Sequence, residues 1–543
     1  MAPPFSLSPV TIGRPRRRRL LEHVLVATIS RVIETQWAAE YDVVVVGSGG
    51  GALTGAALAA RAGLSVCVVE KTPLIGGTSA YSGGACWLPG SQVQQRAGIS
   101  DSTEGARDYL AAILEDSDQD RVEAFLATAP RLVAELEADP DLDFEWLPFS
   151  EYYDAPGRVP FGRSIQPTNI KRGELPPEVA ELVRPPVERD RAGEGGRNTL
   201  SGGQSLIARL AAIVVREGGE LRTSLPVTGL VSDGDGDERR VTGVAAMSPE
   251  GPVLLGARRG VLLAAGGFEG NAELRRERGV PGEVAWTMAP RETNTGEPIE
   301  AAISLGAATD FSALGWFCPG LEQPDGGGSF TLGFRGGLMV DQTGRRYANE
   351  SLPYDRFGRE MAKAPERIPS WYVFDSREEG RLPAIAMPEG DPAAHLEAGT
   401  WVRADSIAAL AEAAGLPADA LAESVERFNA AAEKGVDEEF GRGEDEYDSF
   451  FASGKGINKA LTPCDVAPFY AARFVLSDLG TKGGLVTDAA GRVLREDGAP
   501  IPGLYAAGNT AASVFGSVYP GPGAPLGSAM VFAALAVEDM QQL

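Results

Sequence analysis

Gly47-Ser48-Gly49-Gly50-Gly51-Ala52 follows four consecutive valines, Val43 to Val46, and Glu70 closes a second apolar run, Val66-Cys67-Val68-Val69. Residues of these types at this spacing can hold a dinucleotide. Gly47 makes the tight turn, Gly49 lets the backbone approach a pyrophosphate, and Ala52 is small enough for a helix to pack on the strand before it. The helix that starts here presents unpaired N–H groups and the positive end of its dipole to the phosphates. Glu70 stands at the end of the next strand, placed to accept hydrogen bonds from ribose hydroxyls. Glycines in this pattern occur by chance in ordinary βαβ turns. A strand, turn, helix, strand and acid in one unit make the dinucleotide site the better reading.

The elements that position these residues follow from the same stretch. Four β-branched residues in a row predict a strand buried on both faces. A helix is expected from about Ala52 to Arg61, with Gly63 closing it in a left-handed conformation. Lys71 continues directly from the acid, and Gly77-Thr78-Ser79 and Ser82-Gly83 come soon after. Paired glycines and small hydroxyl residues let a backbone run close along a bulky planar group. This arrangement resembles the flavoproteins of the fumarate reductase and succinate dehydrogenase superfamily, and the resemblance implies FAD. Only two histidines exist, His23 and His395, and neither lies in a Gly-rich segment. A non-covalent FAD is therefore expected, and a His-rich metal site is not.

Composition sets outer bounds. The 543 residues leave room for two or more domains, and 43% apolar with 23% charged residues is ordinary for a soluble protein. A net charge of −25 argues against nucleic acid as a partner, since phosphates would be repelled. Cys67, Cys86, Cys318 and Cys464 match no metal spacing. Reduced cysteines and a cytoplasmic protein are the simplest account. Residues 1–40 depart from this pattern, carrying six arginines against three glutamates and so +3, which leaves −28 for the remainder. Their apolar run is too short to cross a bilayer and is broken by charges. Residues 1–36 are read as a disordered basic tail, with peripheral membrane contact by an amphipathic helix as the alternative.

Further along, residues 101–140 show helical periodicity, and an aromatic stretch from Phe144 to Tyr153 reads as a loop or short strand at a site mouth. Residues 172–199 are rich in Pro and charge and are expected to be exposed. A helix opens at Gly202, and Leu221 to Leu230 reads as one strand. Asp233-Gly234-Asp235-Gly236-Asp237 resembles a calcium loop but lacks the downstream glutamate, so a solvated turn is expected and no metal site. Gly260 to Gly267 returns to the buried sheet, and Gly503 to Asn509 adds a short apolar strand. Pro525 sits at the first turn of a terminal helix. Aromatic residues concentrate between about Phe311 and Gly480. The expected fold is α/β, a Rossmann-like FAD-binding domain (37–310 and 481–543) interrupted by an inserted α+β substrate or catalytic domain (311–480).

With Asn349-Glu350-Ser351-Leu352-Pro353-Tyr354 and Tyr519-Pro520-Gly521-Pro522-Gly523 in view, the resemblance narrows. Together with the Gly-rich pieces, these look like bacterial 3-ketosteroid Δ1-dehydrogenases over residues 37–540. The Gly-rich pieces identify only the superfamily; the two tyrosine motifs are specific. The resemblance implies that Tyr519 and the Gly523 N–H bind a steroid C3 carbonyl. It makes Tyr354 the base, Tyr152 (less well Tyr153) a helper phenol, and Phe149 and Phe330 walls of the steroid slot. It also places Val227, Ala265, Gly266, Gly508, Asn509, Pro525 and Leu526 on the FAD. The terminal helix would then point its N-terminus at the flavin N1 and C2=O. The implied reaction moves a C1 hydride to flavin N5 and a C2 proton to tyrosine. It gives 3-keto-1-ene steroids in bacterial steroid and cholesterol catabolism, with a quinone or similar external electron acceptor.

The rival readings are set apart by residue chemistry. A fumarate or urocanate reductase needs arginine clamps, for which Arg335 and Arg345 are available, and members typically add histidines. A steroid Δ4-dehydrogenase has a different terminal tyrosine motif. A non-catalytic flavin or steroid carrier would have no need of three tyrosines.

Overall fold

Val43 to Val46 lie at most 4% exposed in the middle of an eight-stranded sheet. The computed structural model describes residues 36–115, 118–234, 236 and 239–543. The basic segment through residue 35 and positions 235, 237 and 238 of the Asp-Gly turn lie outside the described residues. The strand Ala39–Val46 runs parallel to Val66–Val69 on one side and to Gly251–Leu263 on the other. Pro500–Ala506 and Glu220–Arg222 extend the parallel set outward on either side. Parallel strands covered on both faces must be apolar throughout, which is why this segment reads as an unbroken valine run.

The helix Gly50–Arg61 crosses from the first strand to the second, and Gly63 ends it at φ 80°. It packs against the terminal helix Ala524–Gln541, whose Ala529 and Ala533 keep the two backbones close. Gly47 takes φ 104° with a Cβ position blocked by the Ala264 carbonyl, so the turn between strand and helix admits only glycine.

A second, five-stranded antiparallel sheet is built around the long strand Phe469–Leu485, which pairs with Thr309–Leu321, Ser370–Asp375 and Trp401–Ala404. The boundary expected at residue 480 falls inside that strand. Leu485 also bridges to Ala511, so the long strand leads from one sheet towards the other.

Two expectations need correction. Residues 221–230 do not form one strand: Glu220–Arg222 joins the parallel sheet, whereas Val227–Asp233 pairs antiparallel with Arg240–Ser248. Ser224, at φ 54°, and Pro226 turn the chain between them. Residues 172–199 are not simply exposed. Val179, Val183 and Val187 are buried, and Arg184 bonds Asp190, Thr72 and the Leu74 carbonyl beside the dinucleotide unit. Prolines set the local turns there without keeping the segment in solvent. No helix among the described residues is long and apolar enough to cross a membrane.

Candidate active site

One cavity of about 450 Å³ gathers residues from both sheets and from segments far apart in the chain. It is lined by Gly47, Ser48, Gly49, Gly51, Ala52, Glu70, Lys71, Gly77, Thr78, Ser79, Ser82, Gly83, Val227, Ala265, Gly266, Gly508, Asn509, Pro525 and Leu526. Tyr354, Tyr519, Gly523, Phe149 and Phe330 line it as well. Of the site residues expected from sequence, only Tyr152 and its less favoured alternative Tyr153 are not on its wall.

The first half of the cavity suits a dinucleotide by its donors. Two helices, Gly50–Arg61 and Ala524–Gln541, begin on the wall, and neither N-cap, Gly49 or Gly523, supplies a side-chain acceptor to the first turn. Gly50 N–H bonds Ser79 Oγ and Ala524 N–H the Gly521 carbonyl. The remaining first-turn N–H groups of Gly51, Ala52 and Leu526, with the positive helix ends, can meet the pyrophosphate and the electron-rich edge of a flavin. Glu70 is held rigid, accepting from Ser48 Oγ at 2.6 Å on one oxygen and from Thr72 N and Oγ1 at 2.8 and 2.9 Å on the other. Each carboxylate oxygen has lone-pair capacity left for a ribose hydroxyl. Lys71 Nζ donates to Thr295 Oγ1 at 2.7 Å and so ties the acid's strand to the segment before the helix Glu297–Ile303. The residues present fit FAD.

The second half is aromatic. The Tyr354 hydroxyl donates to Tyr519 Oη at 2.7 Å, and their rings cross edge to face at 5.6 Å. Phe330 packs on Tyr354 with centroids 4.8 Å apart. Tyr152, 1% exposed, sits behind both, at 5.4 Å from Tyr354 and 5.1 Å from Tyr519, with its hydroxyl unpartnered. Tyr153 is off the wall as well, its ring under Arg356 and its hydroxyl towards the Tyr519 backbone N–H. Met288, Leu332, Met387, Leu479, Leu147 and Gln166 also line the cavity. Nothing in their local sequence marks them, since single side chains scattered over short strands, loops and the long strand carry no site signal.

Local structure explains why these motifs have the residues they have. In Asn349-Glu350-Ser351, none of the three side chains lines the cavity. Asn349 Nδ2 donates to Asp448 Oδ2, while Glu350 accepts from Arg346 and Arg442 at 2.8–2.9 Å. Arg442 also donates to Ser351 Oγ at 3.0 Å. This buried network fixes the start of the helix Tyr354–Ala362, so Tyr354 is aimed from its first residue. Gly523 takes φ 83° and its Cβ position is filled by the Ala85 carbonyl. Only glycine can therefore turn the chain so that its N–H acts on the Tyr519 hydroxyl. Tyr152 N–H bonds the Pro520 carbonyl at 3.2 Å, joining the two tyrosine loops.

Burial pushes the Tyr354 phenol well above its ordinary value, and neighbouring Tyr519 adds to it, whereas the Tyr152 hydroxyl pulls it down. Burial raises Tyr519 too, but the Tyr354 hydroxyl and the Gly523 N–H work against that rise. Tyr519 is thus the hydroxyl surrounded by donors, suited to polarising an oxygen, and Tyr354 the one with a supporting phenol behind it. No arginine lines the cavity among the described residues, and Arg345 pairs instead with Glu423 at the surface. His395 is buried against Trp401 with its Nδ1 on Thr400, and does not line the cavity.

Comparison with known proteins gives the family. The FAD binding domain family matches residues 42–526. A 3-oxosteroid 1-dehydrogenase from Rhodococcus opacus is 43% identical, over 93% of this chain and 99% of its own length. One from Mycobacterium tuberculosis (strain ATCC 25618 / H37Rv) is 38% identical, over 92% and 97%. The crystal structure of 3-ketosteroid delta1-dehydrogenase from Sterolibacterium denitrificans, in complex with 1,4-androstadiene-3,17-dione, superposes with a TM-score of 0.85 at 32% identity, covering 93% of this chain and 99% of that one.

Proposed function

The chain belongs to the bacterial 3-ketosteroid Δ1-dehydrogenase family of FAD-binding flavoenzymes, and from that membership we propose that it removes hydrogen from C1 and C2 of 3-ketosteroids. The observation that carries this reading is the pair of phenols, Tyr354 and Tyr519, converging at 2.7 Å on a cavity wall that also holds the Gly523 turn. Bound FAD supplies the acceptor for the C1 hydride. The C2 proton is weakly acidic until the C3 oxygen gains enolate character. Tyr519 and the Gly523 N–H donate to that oxygen as an oxyanion hole. A ketone oxygen accepts from the Tyr519 hydroxyl, whose own oxygen is the acceptor for Tyr354. Tyr354, once its own proton has gone to solvent, takes the C2 proton as a phenolate. Tyr152, with no other partner for its hydroxyl among the described residues, donates to the Tyr354 phenolate and stabilises it until the C2 proton arrives. Phe149, Phe330 and the methionines exclude water and fit an apolar ring system.

In the same reading, residues 37–310 and 481–543 hold the FAD and residues 311–480 complete the steroid slot. Electrons leave to a quinone or similar external acceptor. The apolar wall without arginine supports a neutral ketone rather than a dicarboxylate.

Mixing the oxidised protein anaerobically with a panel of 3-ketosteroids tests the proposal. Flavin absorbance should bleach in a steroid-dependent, saturable way, and fumarate should not restore it. Absence of bleaching with every ketosteroid points to a carrier, and fumarate-driven recovery to a reductase. The FAD is held without a covalent bond, a reading supported by His395 lying off the cavity. Acid precipitation should therefore release the yellow colour into solution; colour retained in the pellet contradicts it.

A further inference from the structure

Lys482 is 1% exposed on the long strand Phe469–Leu485, and no carboxylate among the described residues lies within ion-pair distance of its ammonium. Its Nζ donates to the carbonyls of Ser517 and Val518, at 2.8 and 3.3 Å, the two residues that lead into Tyr519. The same nitrogen stands 4.0 Å over the Trp316 ring and 5.9 Å from the Tyr519 ring centre. Trp316 in turn meets Tyr519 edge on at 4.8 Å and donates from Nε1 to Asn509 Oδ1 at 2.9 Å on the cavity wall. Arg359, paired with Asp355, donates to the Ser517 carbonyl as well.

A buried ammonium without a carboxylate partner is costly, and an apolar side chain of the same length would fill the space at less cost. Burial draws Lys482 down to about 7, with Asp355 acting the other way and Arg359 with it. That cost is met beside one functional group, Tyr519.

Resting on the reading of Tyr519 as a donor to the steroid C3 oxygen, we infer that Lys482 is a positioning residue for this oxyanion hole. Its two hydrogen bonds fix the Ser517-Val518-Tyr519 turn, and its positive charge favours negative charge on the oxygen that Tyr519 engages. The tetrad of Lys482, Trp316, Tyr519 and the turn carbonyls is one unit.

The test reads ionisation of a bound oxygen rather than turnover. The probe is a steroid whose phenolic A ring is made acidic by an electron-withdrawing ring substituent, so that it ionises below about 7, where Lys482 is charged. It is bound to the FAD-loaded protein, and the pKa of the bound phenol is measured in wild type, Lys482→Met, Lys482→Gln, Tyr519→Phe and both double variants. Expected is a rise of about one pH unit in Lys482→Met and Lys482→Gln at unchanged FAD content, as for one charge at this range in a medium of intermediate dielectric. In the Tyr519→Phe background the same substitutions should move it by less than about a third of that, because the two residues act through one hydroxyl. Equal shifts in both backgrounds, or none in either, overturn the inference. Should Lys482→Met lose FAD or fold poorly, Lys482→Gln, which keeps a hydrogen-bond donor, decides alone. If both lose FAD, the residue serves the fold and the inference fails. A bound phenol indifferent to Tyr519→Phe overturns the Tyr519 reading itself, and the inference with it, through a different variant.

Discussion

Tyr354→Phe will stop exchange of the C2 hydrogens of a bound 3-ketosteroid with solvent. The experiment holds the flavin reduced, without oxygen, in D₂O, so that hydride transfer is blocked and exchange reports proton abstraction alone. Wild type should exchange. Loss of a general base is worth roughly 10²–10⁴ in rate, and steady-state turnover should fall by the same order while steroid binding persists in the aromatic slot. The pH dependence has a definite sign. Tyr354 is active deprotonated and burial holds its pKa well above 10. The deprotonated fraction therefore grows about tenfold per pH unit below that pKa, and wild-type exchange should climb through pH 10 without a neutral plateau. The variant should lack that slope. Undiminished exchange in Tyr354→Phe would remove Tyr354 as the base.

Tyr519→Phe will slow the same exchange without abolishing it. The substitution takes away the phenolic donor to the C3 oxygen but leaves the Gly523 N–H, which the glycine turn at φ 83° presents independently. Loss of one oxyanion donor costs about 10²–10³ in rate. The direct Tyr354–Tyr519 hydrogen bond also disappears, so the Tyr354 hydroxyl loses its present acceptor. Binding of the ketone should weaken less than turnover, because the donor matters most when the oxygen carries negative charge. A Tyr519→Phe enzyme that exchanges and turns over like wild type would exclude the phenol from the oxyanion hole. The two variants separate base from donor: one should lose the pH slope and the other keep it.

Much of this site is legible in sequence because its glycines and acid are forced by covalent geometry. Gly47 and Gly523 are needed for positive φ beside a blocking carbonyl, and Glu70 must follow a buried strand to reach its place. Such constraints are local and act within a few residues. The role of Asn349-Glu350-Ser351 was not legible in this way. The motif resembles catalytic surroundings, yet its side chains are spent on Arg346, Arg442 and Asp448, the last two about ninety to a hundred residues away. Its function is to aim Tyr354 rather than to touch a ligand.

By itself the sequence determined the dinucleotide unit, the strand–helix–strand run that builds it and the family resemblance, and through that resemblance it singled out three tyrosines. Tertiary structure alone decided how the phenols are arranged. Tyr152, Tyr354 and Tyr519 come from three distant segments, and only packing places Tyr152 behind the wall while its two partners line it. It also decided that Lys482 lies under Tyr519, which no spacing announces because the contact runs through a strand and a loop. The physical reason is range. Backbone sterics and hydrophobic periodicity are written in neighbouring residues, whereas hydrogen bonding and burial in the site depend on which distant side chains the folded sheets bring together.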